Sequence, residues 1–352
     1  MRFPLSYLAG PLTALLIVAA FYAGGYWLLA LPAIVYLALP VAEQIAGVSR
    51  WPSQTRLDRM SGRAAARYEF MLLLGAWSYP LLLGWALWAV AVTPLAWWQF
   101  GVLALLLGEY GGFVGIVTAH ELMHRSGGKR QLSFFLMALT GYAHFCVEHV
   151  RGHHVRVATP EDPATARRGE SLYGFVIRSV IGGFRSAWRL EAERLERAGK
   201  AVWSHHNDIL RWHGFTLALA IAVILLLGPA SLLLFAIQAF FAIMALEAIN
   251  YLEHYGLLRS QRPDGSYERV RPAHSWNSSH IVSNVSLFNL GRHSDHHAQS
   301  NRPYYRLRHH DAAPQLPFGY GGSFVLSLVP PLWFRVMDRE LDRFEARAGA
   351  EG

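Results

Sequence analysis

The chain is poor in cysteine and in charge. Cys146 is the single cysteine among 352 residues. That excludes a disulfide framework, a four-cysteine zinc site and any fused iron–sulfur or rubredoxin-like module, since each needs several thiolates. Charged residues make up only 16% of the chain and apolar ones 53%. The apolar residues gather in stretches long enough to cross a bilayer, so the chain reads as a polytopic membrane protein. No internal repeat, low-complexity tract or soluble-domain linker is visible. The formal net charge of +8 does not indicate nucleic acid, because Lys and Arg lie between the apolar runs and not on one amphipathic face or basic tail. Loop placement by the positive-inside rule accounts for them.

The N-terminal stretch MRFPLSYLAGPLTALLIVAAF has the outline of a signal peptide. Its basic region is one arginine, however, and a second apolar run follows almost at once, so it reads as an uncleaved first span. Six spans are expected, at about 5–23, 26–46, 69–93, 95–118, 212–228 and 230–249. Uncharged hairpins at Gly24-Gly25, Thr93-Pro94 and Gly228-Pro229 alternate with basic segments. One of these, residues 49–68, carries Arg50, Arg56, Arg59, Arg63 and Arg67 against one aspartate, and residues 120–211 are also rich in arginine. An even number of spans puts both termini and the basic segments on one side, which the charge rule makes cytoplasmic. The expectation is an all-α membrane protein: one integral-membrane domain over residues 1–352, in a bacterial inner membrane, with cytoplasmic metal-binding segments at 119–211 and 250–352. Spans four and six would end just before His120 and His254, and residues 131–146 would form a short buried or interfacial helix.

None of the 17 histidines lies in the middle of an expected span. Four clusters stand out. HELMHR places His120 and His124 one helical turn apart; EHVRGHH holds His149, His153 and His154, with i and i+4 on a shared face; NYLEHYGL holds His254; GRHSDHH holds His293, His296 and His297. HELMH alone is the zinc-peptidase signature, with Glu121 as the base. Nine convergent imidazoles exceed the three protein ligands that one catalytic zinc uses, so two metals are implied. Iron, copper, nickel and zinc all suit imidazole. Glu121, Glu148, Glu253 and Asp295 recur beside these histidines, each able to accept the outer ring N–H of a ligand and fix its tautomer. Glu109 and Glu247, eleven and seven residues before His120 and His254, fall on the same helical faces, and Glu247 is expected to support the metal site. The other histidines, His144, His205, His206, His213, His274, His280, His309 and His310, read as ordinary satisfied or exposed polar residues.

HELMHR, EHVRGHHVRVATPEDPATA, NYLEHYGLLR, SWNSSHIVSN and RHSDHHA resemble the histidine boxes of the membrane-bound alkane 1-monooxygenases of the AlkB type. These are non-haem di-iron hydroxylases, related more distantly to xylene monooxygenase and the fatty-acyl desaturases. The likeness runs from about residue 109 through PPLWFRVMD, ending at 338, and NYLEHYGL sets the hydroxylases apart from the desaturases. Arg125 stands where many members carry lysine, and Gly291 where glutamine commonly precedes the last box.

The resemblance implies that His120, His124, His149, His153, His154, His254, His293, His296 and His297 hold two iron ions. It implies terminal hydroxylation of n-alkanes, with dioxygen as co-substrate and one oxygen atom leaving as water. The alkane would come from the bilayer, and electrons from a separate rubredoxin or ferredoxin with its NAD(P)H-dependent reductase.

The boxes specify the oxidant and not the molecule oxidised, so a methyl-arene such as xylene, a terpenoid methyl group or a fatty-acyl chain is the alternative substrate. An intramembrane zinc protease built on His120, Glu121 and His124 would leave the other clustered histidines without a purpose. A metal transporter would place its site near the bilayer midplane, whereas these ligands gather at one face.

Overall fold

The computed structural model describes residues 4–49 and 60–350. Arg50, Arg56 and Arg59 of the expected basic segment lie outside the described residues, while Arg63 and Arg67 lie within a helix. The chain runs through α1 (Leu5–Ala23), α2 (Trp27–Ala46), α3 (Gly62–Val92) and α4 (Trp97–Met123). The segment that follows folds into α5 (Gly127–Ala138), α6 (145–156) and α7 (Leu172–Arg197). Next come α8 (Asp208–Leu227) and α9 (Pro229–His254). The C-terminal part adds α10 (Ile281–Ser286), α11 (His293–Ala298), α12 (Gly319–Ser327) and α13 (Pro330–Ala350). Among the described residues there is no strand. Six helices, α1 to α4, α8 and α9, are long and apolar enough to cross a membrane.

The bounds of these helices differ from the apolar runs in a consistent way. Helix α3 starts at Gly62 because the Ser61 side chain accepts a hydrogen bond from the Ala64 amide, an N-cap well outside the apolar run. Asn207 likewise caps α8 through the amides of Ile209 and Leu210. Helices α4 and α9 do not stop short of His120 and His254 but continue to Met123 and to His254 itself. Histidine and glutamate lower hydropathy without ending a helix, so a hydropathy boundary falls early. Residues 131–146 are not one helix: the chain leaves α5 after Ala138, turns at Gly141 with φ of +68°, and re-enters helix at Phe145. Helix α7 was not foreseen. Its apolar residues are spaced and not contiguous, so no long apolar run announces it.

The centre of the bundle is the pair α4 and α9. A Cβ at Gly112 would lie 2.6 Å from Ala245 Cβ, and one at Gly108 would collide with Phe241 and the Gln238 carbonyl. The two glycines let the backbones approach closely, the usual role of small residues between membrane helices. That contact fixes His120 and His254, at the ends of these two helices, relative to each other.

Candidate metal centre

The nine clustered histidines meet in two sets. His120, His124, His149, His154 and His296 form one, and His153, His254, His293 and His297 the other; within each, one ring nitrogen per residue lies within 4.8 Å of the rest. Helix α4 supplies His120 and His124, helix α6 supplies His149, His153 and His154, α9 supplies His254, and α11 supplies His293, His296 and His297. None of the eight histidines outside the clusters joins either set.

The division of α6 corrects the expectation that His149 and His153 share a face. Residues His149–His153 form a π-helical turn, which moves the shared face from i+4 to i+5. His149 Nε2 therefore lies 2.9 Å from His154 Nε2, while His153 turns to the other set and brings its Nε2 to 3.2 Å from His297 Nε2. In α11 the ordinary α spacing holds: His293 and His297 share the four-histidine set at 2.8 Å, and His296 points to the five-histidine set, 3.1 Å from His154 Nε2.

Ring nitrogens this close share either a proton in an N–H···N hydrogen bond or a cation, and one proton per pair cannot serve a set of four or five that converge on one point. Both donor sets therefore fit a divalent transition metal. Their protonation state fits as well. Burial, reinforced by the neighbouring histidines, holds His149, His154, His293, His296 and His297 well below the usual histidine range. Burial with the adjacent Arg125 pushes His124 down to about 4. These six rings are thus neutral at ordinary pH, the form that binds metal.

Most of the expected carboxylate supports are engaged elsewhere. Glu121 pairs with Arg125, Glu148 accepts from Arg156 at 2.8 Å, and Glu247 accepts from the Tyr142 hydroxyl at 2.9 Å. Asp295 is held by Arg302 and lies 2.7 Å from His310 Nε2. In each case a nearby cationic or hydroxyl donor, joined at Asp295 by the ring of His310, takes the carboxylate in place of a cluster histidine. Glu253 does reach a cluster residue, but at the inward nitrogen: its Oε2 is 3.2 Å from His293 Nε2, and its Oε1 accepts from the Tyr320 hydroxyl at 2.7 Å.

The carboxylate that meets an outer ring nitrogen is Asp162, which the cluster spacing did not single out. His153 Nδ1 donates to Asp162 Oδ2 at 2.9 Å, and the Thr165 hydroxyl donates to the same oxygen at 2.7 Å. Burial alone would raise the Asp162 pKa, but His153 and Thr165 outweigh it and hold it below the ordinary value. Its available signal was the acidic pair inside VATPEDPATA, directly after the second box.

Two cavities open along the α4–α9 seam. One of about 20 Å³ touches His120, Glu253 and His293, and one of about 50 Å³ touches Tyr36, Glu109 and Tyr320; Phe113 and Ile249 wall both. Two mainly apolar cavities therefore lie along the seam, separated by Phe113 and Ile249, and the smaller one abuts the imidazoles.

The fatty acid desaturase family matches residues 95–327, which include every histidine of both sets. Alkane 1-monooxygenase 1 of Pseudomonas aeruginosa is 42% identical over 326 residues, covering 91% of this chain and 85% of its own length. The chain belongs to the alkane 1-monooxygenase family. Alkane 1-monooxygenase of Ectopseudomonas oleovorans is 48% identical over 253 residues, 71% of this chain and 63% of that protein. The hydroxylase component XylM of a Pseudomonas putida xylene/toluene monooxygenase stands further off, at 30% identity over 90% of this chain and 83% of its own. Family membership and the apolar helices make the chain an integral membrane protein, and the two imidazole sets make its centre one of non-haem iron type.

Proposed function

We propose that the chain hydroxylates the terminal carbon of n-alkanes at a two-iron centre held by the nine histidines, with dioxygen as co-substrate. The observation that carries this reading is the pair of imidazole sets at the end of an apolar seam, in a chain whose similarity to named alkane 1-monooxygenases exceeds its similarity to XylM. A terminal C–H bond has no acidic proton and no polarised carbon, so acid–base chemistry cannot open it. Iron supplies the oxidising power when bound; the rest falls to the protein.

Asp162 keeps the proton of His153 on Nδ1 and so leaves Nε2 facing inward. Tyr320 holds Glu253 Oε1, which fixes Oε2 beside His293 where the seam meets the centre. Phe113, Ile116, Val117, Leu246 and Ile249 make the cavity beside the imidazoles apolar, which favours a hydrocarbon chain over water there.

Electrons need a separate donor, a rubredoxin or ferredoxin, because Cys146 alone cannot hold a cluster and is buried. An open groove of about 610 Å³, lined by Arg302, Arg306 and Arg308, reaches His297 and offers an acidic donor a docking place. With both termini and the histidine sets on the cytoplasmic side of a bacterial inner membrane, that groove faces a soluble partner.

The test is product analysis of purified protein with donor and dioxygen, offered n-alkanes alongside xylene. Formation of 1-alkanols is expected; methylbenzyl alcohol without any 1-alkanol would transfer the activity to methyl-arenes.

A further inference from the structure

One carboxyl oxygen deep in the bundle is unpartnered. Glu109 is 8% exposed. Its Oε1 accepts a 2.5 Å hydrogen bond from the Tyr36 hydroxyl, while its Oε2 is buried with no partner. The group borders the 50 Å³ cavity, whose other walls include Val35, Phe113, Ile249 and Phe324. A buried acceptor left without a hydrogen bond is destabilising, so a ligand that brings a hydroxyl to this point is favoured over one that does not.

The place of Glu109 along α4 says what kind of ligand that is. Glu109, Phe113, Val117 and His120 follow at helical spacing on one side of α4, and Ile249 and Glu253 of α9 face them across the same two cavities. The lone carboxyl thus borders one of the two cavities and the imidazoles border the other, with Phe113 and Ile249 between them. Eleven residues separate Glu109 from His120. The α-helical rise would make this about 16 Å, and the π-helical stretch Gly111–Ile116 between them shortens it, so the separation suits an extended chain of roughly ten carbons.

We propose that Glu109 binds the hydroxyl of a primary alkanol whose far methyl lies at the metal centre, so that the enzyme also converts 1-alkanols to α,ω-diols. The inference rests on the reading of the chain as a terminal alkane hydroxylase and extends its substrate class. The alkanol, dioxygen, two electrons from the same donor and two protons give the diol and one water. One C–H bond and the O–O bond break, and one C–O bond forms. The carbon loses two electrons, the donor loses two, and dioxygen takes up all four. Because Tyr36 already satisfies Oε1, a single hydrogen bond separates alkanol from alkane, and the discrimination is correspondingly modest.

The experiment offers the purified full-length chain, with donor and dioxygen, n-alkanes and 1-alkanols over a series of chain lengths bracketing the estimated reach. Diol formation from alkanols is expected to peak at the length that bridges Glu109 and the imidazoles. In Glu109→Leu the alkanol-to-alkane ratio of kcat/KM should fall by up to about tenfold, the equivalent of one hydrogen bond. Glu109→Gln should keep most of the ratio, since its amide still bonds a hydroxyl. Alkane hydroxylation by the wild type without diol at any chain length would overturn the proposal, as would an unchanged ratio in Glu109→Leu. Turnover of neither class would overturn the parent reading and this one with it. The wild-type length profile decides the matter even if the leucine variant fails to fold.

Discussion

Asp162 and His153 form a hydrogen-bonded pair with both side chains buried, Nδ1 to Oδ2 at 2.9 Å. The pair fixes one tautomer of one ligand in the four-histidine set. Asp162→Asn keeps the shape and removes the charge, so metal affinity of that set should drop about 10- to 100-fold while the other set is unaffected. Titration of metal-free protein with ferrous iron would read this as one tight and one weakened step; two unchanged steps would refute the role given to Asp162.

The partition of the histidines makes its own prediction. His297→Ala removes one of four nitrogens from one set, and His296→Ala one of five from the other. On the proposed two-iron reading each variant should lose iron from its own set, so elemental analysis should fall by up to one ion per chain relative to the wild type, with the greater loss in His297→Ala because fewer ligands remain. Identical, complete loss of metal in both variants would mean that the sets do not bind independently.

Eight of the nine histidines were legible because helical spacing recurs in three short boxes, and His254, alone in its box, was legible through the resemblance of NYLEHYGL to the hydroxylases. Their division into two sets was not, because it depends on a π-helical turn at His149–His153 that no spacing rule anticipates. Asp162 escaped notice since it sits in a turn outside any helical register, and Glu121 and Glu148 misled because Arg125 and Arg156 claim them. The number of spanning helices followed from hydropathy, whereas the ends of α4 and α9 ran on through polar ligands that hydropathy reads as boundaries. Helix α7 stayed hidden for the opposite reason, its apolar residues being scattered along an otherwise polar stretch.

A pH dependence follows from His144, which lies against Phe184 and His213 away from the metal sets. Burial, and then His213, pushes its ring down to about 3 from an ordinary 6.5. The folded ring stays neutral where the unfolded ring already takes up a proton, so between these values the unfolded state binds more protons. The stability contributed by the neutral ring is therefore complete above about pH 6.5 and declines as the pH falls toward 3. Thermal unfolding followed from pH 7.5 to about 5 should show a shallower acid decline in His144→Leu than in the wild type; equal slopes would remove His144 from the account.

Charge reversal at Arg306 tests the groove beside His297. In Arg306→Glu the KM for an acidic protein donor should rise roughly tenfold at low salt, and the difference should shrink as salt is added. Turnover supported by a small chemical reductant should change far less, since such a reductant needs no docking surface. An equal loss with both reductants would place the effect at the metal centre and not at the groove.

The closeness of α4 and α9 can be tested by one substitution at two places. Alanine in place of glycine within a helix ordinarily gains up to about 1 kcal/mol. Gly101→Ala meets nothing within 4 Å, so there the gain stands alone and the unfolding temperature should rise slightly or hold. At Gly112 the new methyl would lie 2.6 Å from Ala245 Cβ, on the neighbouring helix. Neither atom belongs to a flexible side chain, so only a shift of one backbone away from the other relieves the contact, at about 1–3 kcal/mol. The clash therefore outweighs the propensity gain and the sign reverses. Because α4 carries His120 and α9 carries His254, the same shift separates the two histidine sets, and Gly112→Ala should lose iron as well as stability. A Gly112→Ala protein as stable and as iron-rich as Gly101→Ala would show that this contact does not set the spacing of the metal centre.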